Sequence, residues 1–265
     1  MKPSAALSKH ALHTGSRPGA SMWNKIPEIT LVFWVIKVLS TTVGETGADY
    51  LAVHVGLGAG VTTTLMTVFL ALALLVQLTR TRYVPWIYWL TVVLLSVVGT
   101  QITDILTDQL NVSLFTSTAA FSVLLAGWFW IWFRSEGTLN VNAIDTRRRE
   151  LYYWGAILVT FALGTAAGDL ATETLGLGFQ VGALAFGSII AAIAVAWRVG
   201  VNPVLAFWLA YILTRPLGAS LGDLLAQAHE YGGLGLGTVT TSALFLTVIA
   251  VLVVAISRPG AARAS

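Results

Sequence analysis

Four Asp residues recur at the same place in a spaced pattern. Asp49, Asp104, Asp169 and Asp223 each follow a Trp by fifteen residues. A Gly stands ten residues after each Trp, in the sets Trp34 and Gly44, Trp89 and Gly99, Trp154 and Gly164, and Trp208 and Gly218. The surrounding segments are as apolar as lipid, where a carboxylate is costly and marks a candidate for function. Glu45 and Asp49, Asp104 and Asp108, and Asp169 and Glu173 are four apart, which sets two carboxylates on one helix face. Like charges at that spacing repel, so water, a proton, a Lys or Arg, or a cation should offset them. Carboxylate-rich sites suit hard divalent ions such as Mg²⁺, Ca²⁺ or Mn²⁺. Asp49, Asp104, Asp169 and Asp223 are therefore the candidate metal ligands, with Glu45 extending the site inward. Thr41, His54, Asp108, Glu173 and His229 are accessory candidates, and a His ligand would favour Mn²⁺ or another transition metal.

Two cations interrupt the apolar runs. Lys37 lies about two turns into the first run and Arg215 sits in the middle of the seventh, followed by Pro216. Lys37, Thr41, Glu45 and Asp49 form one polar stripe along a helix. Neither cation reaches water easily from that depth, so both are expected to meet internal acids. They are expected either to form a structural salt bridge between the first and fourth repeats, balancing charge in the empty site, or to exchange with a transported cation for the same carboxylates. Pro216 lacks a backbone donor and should leave the carbonyl of Ile212 free as a further ligand or a hinge.

The elements that carry these residues are membrane spans. Of 265 residues, 56% are hydrophobic and 10% charged, against about 25% charged in a soluble domain. There is no Cys, which excludes thiolate metal sites and disulfides. Each repeat reads as a helical hairpin: a first span, a Gly-rich turn, then a second span ending in an Arg. The turns are Leu57 to Gly60, Leu175 to Gly178 and Leu234 to Gly237, with Leu110 to Ser113 as the degenerate copy. The Arg stops are Arg80, Arg134, Arg198 and Arg258. Eight spans follow, at 28–54, 59–79, 84–109, 114–133, 150–174, 179–197, 203–229 and 238–257, each long enough for about 30 Å of hydrocarbon. The hairpin repeats occupy 28–82, 83–134, 150–199 and 200–258. A tail at 1–27, a solvated linker at 135–149 and a tail at 259–265 complete the chain.

Apart from Lys37 and Arg215, Lys and Arg fall in the tails and the loops between repeats, and the four turns hold none. The positive-inside rule then places both termini in the cytoplasm. Two-span repeats enter the membrane in the same sense, so the expected fold is all-α, four parallel two-helix repeats about a pseudo-symmetric axis. Gly44 with Ala48, Gly99 with Thr103, Gly164 with Gly168, and Gly218 with Gly222 form small-xxx-small pairs that let backbones approach. The first span of each repeat should thus lie in an inner ring. No phosphate loop, nucleotide fingerprint, haem pattern or intramembrane aspartyl protease pair occurs, and no enzyme is expected.

The stretches Lys37-Val-Leu-Ser-Thr-Thr-Val-Gly-Glu-Thr-Gly-Ala-Asp49 and Arg215-Pro-Leu-Gly-Ala-Ser-Leu-Gly-Asp223 resemble a bacterial family of multi-pass "membrane-anchored" proteins built from a tandem repeat of unknown function. The resemblance covers nearly all of residues 27–258 and implies a bacterial cytoplasmic (inner) membrane. It implies no substrate. The residues themselves point to a cation transporter or exporter, for a divalent metal such as Mn²⁺, coupled to protons if burial raises a carboxyl pKa. No cofactor is expected to be required, though the carboxylates could bind a divalent cation, and the expected partners are the bilayer and the transported ion or small solute, not nucleic acid. The alternatives are a non-catalytic scaffold or partner subunit, and an anion or small organic solute transporter using Lys37 and Arg215.

Overall fold

The computed structural model describes residues 24–51 and 55–258. Eight α-helices account for almost all the regular structure among them, and no strand occurs there: α1 Leu31–Asp49, α2 Gly58–Thr79, α3 Pro85–Asp104, α4 Leu114–Glu136, α5 Arg147–Asp169, α6 Gly178–Arg198, α7 Pro203–Ala226 and α8 Thr238–Ser257. Seven helical segments are long and apolar enough to cross a membrane, as in a multi-pass membrane protein; in α1 the apolar stretch is Leu31–Gly44. Large apolar side chains such as Leu72, Val123, Leu184, Val195, Val251 and Val254 are exposed along α2, α4, α6 and α8. An aqueous surface would rarely carry so much contiguous apolar area.

Local signals explain the helix limits. Thr30, Ser113 and Thr146 cap α1, α4 and α5 by accepting from Phe33, Thr116 and Arg149 backbone N–H groups. Asn202 caps α7 through Val204 N and Leu205 N at 2.9 and 3.2 Å. Pro85 and Pro203 open α3 and α7, where a missing N–H is harmless. Gly137 closes α4 with φ +69°.

The turns correct the sequence reading by two residues in the first repeat. Its left-handed pair is Gly56 and Gly58, matching Gly176 with Gly178 and Gly235 with Gly237. The turn is therefore Val55-Gly56-Leu57-Gly58. In the second repeat Asn111 takes the first left-handed position, with φ +52°, and Ser113 becomes a helix cap instead. Asn tolerates this region better than other residues with a Cβ.

Packing runs out of step with the repeats. The odd helices touch in a closed cycle, α1 to α3, α3 to α5, α5 to α7 and α7 to α1. Each even helix packs mainly on the first helix of the following repeat: α2 on α3, α4 on α5, α6 on α7, and α8 on α1. The expected inner ring is present, but the two helices of a hairpin are not each other's main neighbours. Pro216 lies inside an unbroken α7.

One end of the ring is filled by aromatic side chains from all four repeats. Trp34 meets Phe207, Phe33 meets Trp89, Tyr88 meets Trp154, and Tyr153 meets Trp208, with ring centroids 5.4 to 6.3 Å apart. The Tyr88 and Tyr153 hydroxyls lie 2.6 Å apart. The linker is not wholly solvated: Val141 and Ile144 are buried, and Trp208 Nε1 donates to the Leu139 carbonyl at 3.0 Å. Of the expected N-terminal tail, residues 1–23 lie outside the described residues. Lys25 is buried, and its Nζ lies 2.6 Å from Glu150 Oε2. Gln77 Nε2 donates to the other oxygen of that carboxylate at 3.1 Å.

Candidate functional site

The centre of the ring is organised by glycine. Seven residues after each Trp stand Thr41, Ser96, Phe161 and Arg215; ten after it stand Gly44, Gly99, Gly164 and Gly218. Each Gly of one repeat faces the seventh-position residue of the next. A Cβ on Gly44 would strike Ser96, on Gly99 Phe161, on Gly164 Arg215, and on Gly218 Thr41. The cycle closes from the fourth repeat back to the first. Gly168 and Gly222 continue it, against Pro216 and Thr42. Thr42 and Thr103 add hydrogen bonds across the seams, to the carbonyls of Gly218 at 2.9 Å and Ala162 at 3.1 Å.

Arg215 is the point where all four inner helices meet. It is 1% exposed. From α7, its Nε donates to Thr165 Oγ1 on α5 at 3.0 Å, and Nη1 donates to the Thr41 carbonyl on α1 at 2.7 Å. Nη2 donates to Thr100 Oγ1 on α3. Thr100 and Thr165 share a repeat position, eleven after the Trp, with Glu45. The fork of the guanidinium thus reads a ring position that the repeats keep polar in three of four copies.

Lys37 departs from expectation. It is 1% exposed, and its Nζ has no hydrogen-bond partner. Instead of an acid it meets two ring faces, Phe161 at 4.1 Å and Tyr211 at 4.3 Å from the centroids. Phe161 shares its repeat position with Arg215, and Tyr211 shares one with Lys37 itself. Sequence reasoning missed both rings. The signal was available in that register, once residues are compared at fixed distance from each Trp.

The repeated acids lie elsewhere. Asp104 and Asp169 are the last α-helical residues of α3 and α5. Each is followed by one π-helical turn, Ile105–Gln109 and Leu170–Thr174. Asp49 likewise ends α1, with Tyr50 and Leu51 in π conformation. Such turns are rare and frequent at functional sites. Asp104, Asp169 and Asp223 are half-buried, while Asp108, Glu173 and His229 are exposed. His229 Nδ1 lies 3.0 Å from the Gly233 carbonyl oxygen. The side chains of Glu45 and Asp49, and all of His54, lie outside what the structure describes. Among the described residues, no group of three or more His, Asp or Glu side chains is placed to hold a metal ion.

A model of a repeat of unknown function, DUF347, matches the chain four times, over residues 32–83, 87–138, 152–199 and 206–261. The chain belongs to the DUF347 repeat family. Each DUF347 repeat contains one inner helix, with its Trp, Gly and Asp, and one outer helix. The matched units coincide with the register in which Gly of one repeat receives a side chain of the next. No curated protein and no solved structure matches the chain.

Proposed function

We propose that this DUF347 protein is a membrane transporter for a small charged solute, whose path lies inside the ring of α1, α3, α5 and α7. The observation that carries the reading is Arg215, a buried guanidinium bonded to the three other inner helices. Charged groups at such depth in spans are expensive and mark solute or ion pathways by default. In this reading α1 is the eighth span. The four repeats enter the membrane in parallel about a pseudo-fourfold axis, with both termini in the cytoplasm of a bacterial cell. The basic loops and Lys-free, Arg-free turns support that orientation.

The cation reading draws on Asp104, Asp169 and Asp223, half-buried at the ends of the inner helices that lead into the turns. They would gather cations at that end of the ring. A cation moving further would meet Lys37 and Arg215, so cation transport requires those side chains to yield their places. A scaffold role draws on the same hydrogen bonds, since interhelical polar contacts also serve as glue.

The test is flux into liposomes containing the purified protein, with Mn²⁺, Mg²⁺, acetate and chloride as solutes. The reading expects transport of at least one solute above empty liposomes, and loss of it in Arg215→Gln that remains folded. Folded protein that moves none of them favours the scaffold. Mn²⁺ flux that survives Asp49→Asn with Asp223→Asn removes the carboxylate version.

A further inference from the structure

We propose that segment 24–30 is a detachable strap over the aromatic end of the inner ring, latched by the Glu150 carboxylate. The inference rests on the transporter reading only for what the opening serves; detachment can be measured without flux.

Lys25 is the fastening. Among the described residues it supplies both hydrogen bonds that join segment 24–30 to elements beyond α1: Nζ donates to Glu150 Oε2 at 2.6 Å, and the backbone N–H donates to the Ile144 carbonyl at 3.4 Å. The segment is irregular, and Pro27 has no N–H to add. Ile26 and Ile144 are buried in the same apolar cluster as Trp89, Trp154 and Trp208. Lifting Lys25 therefore uncovers Ile144 and the edge of the aromatic layer. A segment with so few backbone bonds opens locally at a lower free energy than the helices beneath it.

The second observation is that the repeats do not need this latch. Glu150 stands four residues before its Trp, where the other repeats have Thr30, Pro85 and Val204. Gln77 stands three before its Arg stop, where they have Ile131, Val195 and Ala255. The four inner helices nevertheless pack in one closed cycle. The polar contact is thus an addition at one place and not part of the repeated scaffold. It is also incomplete, because Gln77 Oε1 is buried without a partner. A half-satisfied buried network holds less firmly than an apolar contact in its place.

Charge is what makes the fastening reversible. Burying Lys25 and Glu150 strips hydration from both, which offsets much of their attraction. When the strap lifts, both ions return to water and regain that hydration. An apolar pair in the same place would expose hydrocarbon on opening and so would resist it. Lys25→Met with Glu150→Leu should therefore lock the strap while keeping the fold, whereas Glu150→Gln should loosen it.

The chain has no Cys, so Ile144→Cys places a single reporter thiol under the strap, and Ile26→Cys places one on it should the first variant not fold. The full chain, purified in detergent, is labelled with a membrane-impermeant maleimide, and thermal midpoints identify the folded variants. Native protein should label, at least fivefold faster with Glu150→Gln and at least fivefold slower with Lys25→Met plus Glu150→Leu. No labelling until the protein unfolds, or equal rates with and without the folded apolar pair, would overturn the strap. Liposome flux separates the two readings. The expected labelling without flux of any solute tested leaves the strap standing and removes the transporter. Flux with equal labelling rates removes the strap and leaves the transporter.

Discussion

Gly164 on α5 lies against the aliphatic base of Arg215 on α7. A Cβ at Gly164 would come within 2.5 Å of Arg215 Cβ and 2.6 Å of its Cγ. The hydrogen at that position is what lets the guanidinium stay level with Thr41, Thr100 and Thr165. Gly164→Ala should therefore destabilise the protein by about 1–3 kcal/mol through overpacking. Gly127, helical and with nothing within 4 Å of its would-be Cβ, is the control. Gly127→Ala should be neutral or stabilising by up to about 1 kcal/mol. Denaturant unfolding of both variants in one detergent checks the contrast.

Glu150 joins three parts of the chain. Its carboxylate takes Lys25 from the segment before α1 and Gln77 from the end of α2, while Lys25 N donates to the Ile144 carbonyl at 3.4 Å. Removing one partner of a buried pair leaves a charge uncompensated. Lys25→Met alone should cost about 3 kcal/mol or more. Lys25→Met with Glu150→Leu should recover much of that loss, which a double-mutant cycle would measure.

Asn111 is the one described residue other than Gly with positive φ. Asn111→Gly should be tolerated with little change. Asn111→Val should cost about 1–2 kcal/mol, because a Cβ-branched residue fits the left-handed region poorly. Thermal midpoints of the two variants give the comparison.

Burial pushes the Tyr83 phenol above its ordinary range. Above about pH 10 the unfolded chain releases this proton while the folded chain keeps it. Stability is then unaffected below that pH and falls as pH rises through the unfolded value. Tyr83→Phe should remove this share of the alkaline loss. Unfolding midpoints from pH 8 to 11 in the two proteins would show whether the slopes differ.

Much of the architecture was legible because spans, caps and turns depend on near neighbours in the chain. The eight expected spans coincide with the eight helices to within a few residues at most ends. The turn of the first repeat was misplaced because Gly56, Gly58 and Gly60 offer two equivalent registers, and only the backbone shows which pair is left-handed. The small-residue seam was visible as spacing. What fills each Gly was not, since that depends on which helix lies alongside.

The sequence by itself determined a quadruplicated unit, its two helices, and a buried Lys and Arg in the first and fourth copies. Tertiary structure decided that each outer helix packs on the following repeat and that Arg215 bonds across the whole ring. It also decided that Lys37 lies against Phe161 and Tyr211 and not against a carboxylate. The physical reason is range. Helix formation and apolar length are summed over adjacent residues, whereas the partner of a charge is chosen by the register of helices 50 to 174 residues apart in the chain.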